Sequence, residues 1–159
     1  MGSGTKEATT QKIGFIGLGV MGEPMCQNLA KKSGYDLIAY DRASEPLARL
    51  ARDGVTPAAS VEELAAQAQI VFLSLPDGNA VKQVCEGSEP GKGLLSLLKP
   101  GSVVIDMSTS PVELTREIAA KCADRSIEFA DAPVARTREA AMRGDLSIMV
   151  GSSSSLMDQ

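Results

Sequence analysis

The sequence predicts an α/β fold in which helices cover both faces of a doubly wound, mainly parallel β-sheet. Three observations lead to this prediction. Short apolar runs alternate with helical patterns along the 159-residue chain, as in successive β-α-β units. The run IVFLSL, at residues 70–75, suits a strand that is buried on both faces of a parallel sheet. A turn with three glycines joins the first apolar run directly to the first helical pattern.

The strands are placed where apolar residues form short runs that turn signals bound. The first run precedes the glycine turn, and each later run follows a helical pattern, as parallel pairing requires. The last run, LSIMV, predicts a seventh strand. In chain order the predicted strands are residues 12–17, 36–40, 55–56, 70–75, 103–106, 127–130 and 146–150.

The helices are placed where apolar residues recur every three or four positions. Ser60-Val61-Glu62-Glu63 and Ser110-Pro111-Val112-Glu113 both predict a capping box, in which the Ser hydroxyl accepts the Glu amide and the Glu side chain returns to the Ser amide. In chain order the predicted helices are residues 20–32, 44–52, 61–68, 78–86, 94–98, 111–123 and 138–143.

The composition suits one globular domain, which we place at residues 12–151. We expect a disordered tail at residues 1–11 and a shortened polar linker or tail at residues 152–159. The chain is 43% hydrophobic and 23% charged, with a net charge of −4. This acidic balance argues against nucleic acid or an anionic membrane as a partner. No apolar run reaches the ~18 residues that a membrane span needs, and the polar residues 1–11 lead us to expect no signal peptide.

Cysteine and histidine usage narrows the chemistry. Cys26, Cys85 and Cys122 lie far apart without C-x-x-C spacing, so we expect buried thiols in a reducing cytoplasm rather than disulfides or a metal site. The chain has no histidine. Nucleophile–histidine pairs and H-E-x-x-H zinc sites are therefore excluded.

The turn at residues 17–22 reads G-L-G-V-M-G, the G-x-G-x-x-G pattern of dinucleotide-binding Rossmann folds. In that pattern the first glycine makes the tight turn, the second lets a pyrophosphate approach the backbone, and the third lets helix and strand pack closely. The following helix N-terminus offers amides to the phosphates. The alternative is a purely structural turn. The predicted cofactor contacts here are Gly17, Leu18, Gly19, Val20, Met21 and Gly22.

An acidic residue about 20 positions beyond the glycine turn binds the ribose hydroxyls in such folds. Asp41 ends the second predicted strand, 19 positions after Gly22. Its carboxylate favours NAD, because it would repel the 2′-phosphate of NADP. Arg42 leaves NADP open, since it could pair with that phosphate or stack on adenine.

Four segments of the chain resemble, in order, the motifs of the β-hydroxyacid dehydrogenases, such as 3-hydroxyisobutyrate dehydrogenase and tartronate semialdehyde reductase. GFIGLGVMGEPMCQNL (14–29) resembles that family's signature G-x-I-G-L-G-x-M-G-x-x-M-x-x-N-L. LSLPDGNAV (73–81) and VVIDMSTSP (103–111) resemble its second and third cofactor loops. FADAPVARTREAAMRGDLSIMVG (129–151) resembles its substrate segment. The match extends over residues 12–151.

The resemblance implies further cofactor residues. Leu75 and Pro76 would line the cofactor cleft, Asp77 and Val81 would lie near the adenosine, and Thr109 by the nicotinamide ribose. Each has a structural alternative: Pro76 and Asp77 as the start of a helix, Val81 in the core, and Thr109 in a plain loop. The two loops follow the carboxyl ends of predicted strands, where open α/β sheets bind ligands.

The substrate segment departs from the family at one place. The family commonly reads D-A-P-V-S-G-G, whereas here Ala135, Arg136 and Thr137 replace Ser-Gly-Gly. This form resembles the sulfolactaldehyde reductase branch, where the corresponding Arg and Thr meet a sulfonate. A guanidinium suits such anions, so these three residues are the candidate substrate site. The alternative, a solvated helical face, is the interpretation we favour for Arg138 and Arg143.

The resemblance implies hydride transfer between NAD(P) and a short anionic hydroxy acid or aldehyde, with a catalytic lysine in a G-x-x-G-x-G-x-x-x-K pattern. None of the chain's lysines lies in such a pattern, so we expect that lysine, and a helical second domain, beyond Gln159. The chain alone is then expected to bind cofactor without turnover. It should expose an apolar docking surface and form a homo-oligomer. The alternatives are a non-catalytic dinucleotide-binding or assembly module and, third, an imine reductase, against which Asp131–Val134 argues.

Overall fold

The structure, a computed structural model, describes residues 11–158, so all but Gln11 of the expected N-terminal tail lies outside the described residues. The predicted alternation of strands and helices is confirmed, with most boundaries within two residues. In chain order the elements are β1 (Lys12–Ile16), α1 (Gly22–Lys32), β2 (Leu37–Tyr40), α2 (Ser44–Ala51), β3 (Thr56–Pro57), α3 (Val61–Gln67), β4 (Ala68–Leu73), α4 (Gly78–Glu86), α5 (Leu94–Leu97), β5 (Val103–Asp106), α6 (Val112–Asp124), β6 (Glu128–Asp131), β7 (Val134–Ala135), α7 (Arg138–Arg143), β8 (Ser147–Ile148) and α8 (Ser154–Met157).

Six strands form a parallel sheet in the order β3-β2-β1-β4-β5-β6. This is the doubly wound order of the Rossmann fold, and it confirms the predicted fold class. Helices α3 to α6 pack on one face, where Leu64, Val71 and Val104 are fully buried. Helices α1, α2 and α7 pack on the other face around Phe15 and Cys26. The order of strands reverses direction between β1 and β4, which creates a crevice at the carboxyl ends of these strands.

The prediction that the fourth strand is buried on both faces is wrong for part of its length. Ile70 remains 37% exposed, and Phe72 is only half-buried. They lie along an apolar groove of about 420 Å³ over strands β4 to β6, on the face that α4 and α6 do not cover. Leu156 and Met157 of the one-turn helix α8 line the same groove, although the sequence predicts no element there.

The predicted seventh strand does not join the main sheet. Residues 147–148 form β8, which pairs antiparallel with β7 in the register Val134↔Ile148 and Ala135↔Ser147. A further antiparallel bridge joins Asp131 to Gly151. Only the short α7 separates β7 from β8, so the chain turns back on itself and forms a hairpin instead of a parallel crossover.

One of the two predicted capping boxes forms in part. The Ser60 hydroxyl accepts the Glu63 amide at 3.1 Å, while the Glu63 carboxylate accepts the amide of Ala59 at 2.7 Å rather than that of Ser60. The prediction of a capping box at Ser110 is wrong. Pro111 occupies the N-cap of α6 without any side-chain hydrogen bond, which places the Ser110 hydroxyl outside the helix, 3.5 Å from an Asp106 oxygen.

Candidate functional site

The glycine turn between β1 and α1 is shaped by two close backbone contacts. Gly17 has φ +97°, and a Cβ there would lie 2.1 Å from the carbonyl oxygen of Ser74, just after β4. A Cβ on Gly22 would lie 2.0 Å from the Gly17 carbonyl oxygen. The fold therefore requires glycine at both positions, with or without a ligand.

Gly19 differs from its two neighbours in the motif, because a Cβ added there would meet no atom of the described structure within 4 Å. Its backbone faces a cleft of about 580 Å³. This is the space that a pyrophosphate needs beside the backbone, at the N-terminus of α1 where amides lack helical partners. The residues around the cleft are Ile16, Gly17, Gly19, Val20, Met21, Gly22, Tyr40, Asp41, Arg42, Ser74, Leu75, Pro76, Ala80 and Val84.

Asp41, at the end of β2, closes the far side of the cleft and braces the glycine turn. One of its carboxylate oxygens accepts the Leu18 amide at 2.6 Å, and the other accepts the Ala43 amide at 2.8 Å. A carboxylate has about four acceptor positions, so further ones remain for hydroxyl groups of a ligand. The Leu18 side chain itself is buried in the core, and only its backbone belongs to the site.

The second and third loops are joined by a buried polar chain that spacing alone does not predict. The Leu75 amide donates to the Ser108 hydroxyl at 2.9 Å, and the Ser108 amide donates to an Asp106 carboxylate oxygen at 2.9 Å. Asp106 is 1% exposed. Burial raises the pKa of Asp106, the nearby Asp131 raises it further, and the hydrogen bonds from Ser108 oppose the shift.

The remaining predicted cofactor residues lie outside the cleft. Asp77 is the N-cap of α4, where its side chain accepts the Ala80 amide at 2.9 Å. Val81 is 1% exposed in the core, so it is in no position to touch an adenosine. Thr109 is an exposed loop residue that does not line the cleft. Ala80 and Val84 on α4 line it instead, one position before and three positions after Val81.

Arg136 lies in the hairpin of β7 and β8 and has φ +95°, a backbone conformation that non-glycine residues rarely adopt. Its Nε donates to the Ser147 hydroxyl at 3.1 Å, and its Nη1 pairs with an Asp145 carboxylate oxygen at 2.9 Å. Ala135 is exposed in β7, and Thr137 caps α7 by accepting the Ala140 amide at 3.3 Å. Of the three candidate substrate residues, Arg136 thus presents the charged group.

Asn28 connects α1, which follows the glycine turn, to α7, which follows Arg136. Its side-chain amide donates to the carbonyl of Ala141 at 2.7 Å and to that of Met142 at 3.1 Å. These carbonyls belong to the last turn of α7, and that of Ala141 also accepts the C-cap amide of Gly144 at 3.1 Å. The cofactor helix and the hairpin are therefore fixed to each other.

Residues 12–159 match the family described as the NAD binding domain of 6-phosphogluconate dehydrogenase. The chain belongs to this family.

Members of the same wider group show the resemblance in detail. The chain is 38% identical over 148 residues to 2-(hydroxymethyl)glutarate dehydrogenase of Eubacterium barkeri, matching 93% of this chain and 48% of that protein. It is 35% identical to 3-sulfolactaldehyde reductase of Escherichia coli, over 87% of this chain and 45% of that one. Among solved structures, 3-hydroxyisobutyrate dehydrogenase of Mycobacterium tuberculosis with L-serine superposes with a TM-score of 0.84 at 32% identity, over 94% of this chain and 49% of that one. The chain thus spans about half the length of these relatives, and the resemblance to β-hydroxyacid dehydrogenases is confirmed.

For this NAD-binding domain the cysteines have a structural role. All three are buried and free, and burial raises the pKa of Cys26 to about 12 and that of Cys122 to about 12. Such thiols stay protonated at neutral pH and are poor nucleophiles. Across residues 11–158, no cluster of three Cys, Asp or Glu side chains is arranged to hold a metal ion. Nor does any helix in that range have the length and apolarity of a membrane span.

Proposed function

We propose that this chain holds the nicotinamide dinucleotide of an enzyme that transfers hydride between that cofactor and a short β-hydroxy acid or its semialdehyde. The observation that carries the proposal is the open space at Gly19 between two glycines that the fold itself requires. The glycine turn is built to bring backbone amides close to a ligand, and a cleft of about 580 Å³ is large enough for part of a dinucleotide.

Different residues of the cleft would bind different parts of the cofactor. The backbone of Gly19, Val20 and Met21 would bind the pyrophosphate at the α1 N-terminus, and Asp41 the adenosine ribose. Leu75 and Pro76 would form the apolar wall at the carboxyl end of β4. The hydride itself is chemistry that the cofactor supplies, so the protein contributes binding, orientation and exclusion of water.

We favour NAD over NADP as the cofactor. The Asp41 carboxylate is fixed on the glycine turn by the Leu18 amide, so it is not free to turn away from a 2′-phosphate. Calorimetric titration of the chain should show NADH binding at least tenfold tighter than NADPH. In Asp41→Asn the difference between the NADH and NADPH affinities should narrow, because the repulsion of the 2′-phosphate is removed while an acceptor oxygen remains. Tighter binding of NADPH by the unchanged chain would reverse the assignment.

We propose that Arg136 binds the anionic end of the substrate. Arg presents a planar set of donors that fits carboxylate and sulfonate groups, and the hairpin holds it near the carboxyl edge of the sheet. In a protein that includes the remaining half found in the relatives, Arg136→Ala should raise KM for anionic substrates at least tenfold and change kcat little. An unchanged KM would remove Arg136 from the site.

The apolar groove over strands β4 to β6 is our candidate docking surface for that remaining half or for a second copy. Its exposed members include Ile70, Ile148, Val150 and Met157. We propose that residues 12–151 form the binding domain, that residues 152–159 continue from it as a linker, and that the chain alone self-associates through the groove. Sedimentation at rising concentration should show dimers, and a strictly monomeric chain at high concentration would count against this use of the groove.

A further inference from the structure

We propose that Asp145 is an internal counter-ion that occupies the Arg136 guanidinium before a substrate arrives and thereby sets the anion affinity of the site. The inference rests on the proposed role of Arg136 in substrate binding and adds a regulating residue to it. Asp145 does not contact the substrate in this account. It competes with the substrate's anionic group for the same donors.

The contacts of Arg136 show how much of its guanidinium Asp145 occupies. Nη1 of Arg136 donates to the Asp145 carboxylate at 2.9 Å and to the Asp145 carbonyl oxygen at 3.3 Å. Nε donates to the Ser147 hydroxyl at 3.1 Å. The guanidinium is therefore folded back along its own hairpin. Within residues 11–158, Nη2 makes none of these hydrogen bonds, so a ligand would find only part of the donor set available.

The backbone brings the two residues together and keeps them there. Arg136 precedes α7 and Asp145 follows it, and both ends of this helix are fixed. Thr137 caps its start, while Gly144, with φ +71°, ends it against Asn28 and Lys32 of α1. The antiparallel register between Ala135 and Ser147 aligns the flanking strands. The hairpin backbone thus places the two side chains within reach of each other.

The pair is placed to open when an anion arrives. The side chains of Arg136 and Asp145 are 51% and 60% exposed, so both are hydrated when they separate. Exposed ion pairs of this kind contribute little free energy, and exchange for a better acceptor is therefore easy. Arg143, whose Nη2 lies 4.0 Å from the same Asp145 oxygen, offers that carboxylate a second cation once Arg136 has turned to the ligand.

Two consequences follow for binding. Removing the Asp145 charge should free Arg136 and also remove a repulsive charge beside the bound anion. We expect Asp145→Asn to tighten binding of a small sulfonate about three- to tenfold, with the gain shrinking at high salt. A neutral ligand of similar shape should show no gain, because it neither competes with the carboxylate nor is repelled by it.

The test is an NMR titration of the 159-residue chain with methanesulfonate and, as the neutral control, dimethyl sulfone. Binding is followed in every variant by the backbone amide signals of residues 135–147, and also by the Arg136 Nε–H signal where Arg136 is present. The variants are Asp145→Asn, the charge-preserving Asp145→Glu, and Arg136→Ala, with the amide signals of Ala140 and Ala141 reporting that α7 is intact. We expect tighter methanesulfonate binding in Asp145→Asn alone, and no change for dimethyl sulfone. If Arg136→Ala abolishes binding but Asp145→Asn binds as the unchanged chain does, the anion site stands and the counter-ion role is overturned. If Arg136→Ala binds methanesulfonate as well as the unchanged chain, the proposed anion site fails, and the inference with it.

Discussion

Gly17 and Arg136 have almost the same φ, +97° and +95°, in two very different settings. At Gly17 the position of a Cβ is filled by the Ser74 carbonyl, 2.1 Å away. At Arg136 a full side chain extends into an exposed hairpin and forms hydrogen bonds there. At Gly17 a positive φ coincides with a backbone contact that leaves no room for a side chain. At Arg136 a positive φ is adopted by a residue that bears a long side chain.

Gly17 is a residue that the fold requires, whereas Arg136 is a residue that the fold does not require at its position. A non-glycine residue in this region costs about 1–3 kcal/mol and persists where the surroundings determine it, commonly at ligand-binding sites. The hairpin holds residue 136 at a φ that favours glycine, yet presents a guanidinium from it. The glycine turn offers backbone amides, whereas the hairpin offers a charged side chain.

The largest expected effect is that of Gly17→Ala. The positive φ disfavours alanine, and the added Cβ would lie 2.1 Å from the Ser74 carbonyl oxygen. We therefore expect the free energy of unfolding to fall by about 3 kcal/mol or more, with loss of dinucleotide binding. Urea denaturation measures this. The matched control is Gly19→Ala, whose Cβ meets nothing within 4 Å. Its stability should change by less than about 0.5 kcal/mol, while NADH affinity falls at least tenfold.

A smaller effect is expected where the two regions are joined. Asn28→Asp keeps the shape of the side chain but replaces the donors to Ala141 and Met142 with a carboxylate facing their carbonyls. We expect a loss of about 1–3 kcal/mol of stability, with faster hydrogen exchange confined to α7. Asn79→Asp, the same change at an exposed position in the first turn of α4, serves as the control and should be neutral or stabilising by less than about 1 kcal/mol, because the carboxylate lies near a helix N-terminus. Equal losses in both variants would show that Asn28 does not hold the hairpin.

Replacing Arg136 in two ways separates the role of its guanidinium from that of its backbone strain. Both Arg136→Gly and Arg136→Ala remove the guanidinium, but only glycine relieves the strain at φ +95°. The Gly variant should therefore be about 1 kcal/mol more stable than the Ala variant in thermal or urea unfolding. Ala135→Gly, one residue earlier in strand β7, should instead lose stability. A less stable Gly variant at 136 would indicate that the strain is absent.

The smallest expected effect is the change of stability with pH that Asp106 causes. Asp106 belongs to the buried hydrogen bonds that join the second and third loops. Burial raises the folded-state pKa of Asp106 above its ordinary value of 3.8. Its contribution to stability is therefore greatest below that value and is lost as pH rises through the folded pKa. Relative to the unchanged chain, Asp106→Asn should gain stability between pH 3.5 and pH 7, an interval chosen to begin at about the ordinary Asp pKa.

Glu117 gives the control of opposite sign. Hydrogen bonds from Lys121 and Lys82 lower its pKa, so its contribution is present above the ordinary value of 4.5 and is lost as pH falls. Glu117→Gln should therefore lose stability relative to the unchanged chain over the same rise in pH. Parallel pH profiles for the two variants would contradict the assigned direction for one of them.

The sequence predicts the glycine turn well because its determinants are local. The spacing of Gly17 and Gly22 and the position of Asp41 follow from one β-α-β unit, and the structure brings all three to one cleft. The hairpin could not be predicted in the same way, because the apolar run at residues 146–150 does not itself show which strand it pairs with or in which direction. The link from Leu75 to Ser108 spans 33 positions, and Val81 lies in the core because the rotation of α4 turns Ala80 and Val84 to the cleft. Such features depend on how elements pack, which residue spacing does not record.

The most direct test of the account is an NMR titration of the chain with NADH that follows every assigned backbone amide. The account predicts saturable binding with the largest shifts at Gly19, Val20 and Met21, further shifts at Asp41 and Arg42, and little change in the hairpin around Arg136. Saturating NADH that leaves the amides of residues 19–21 unmoved would contradict the claim that the glycine turn holds a dinucleotide.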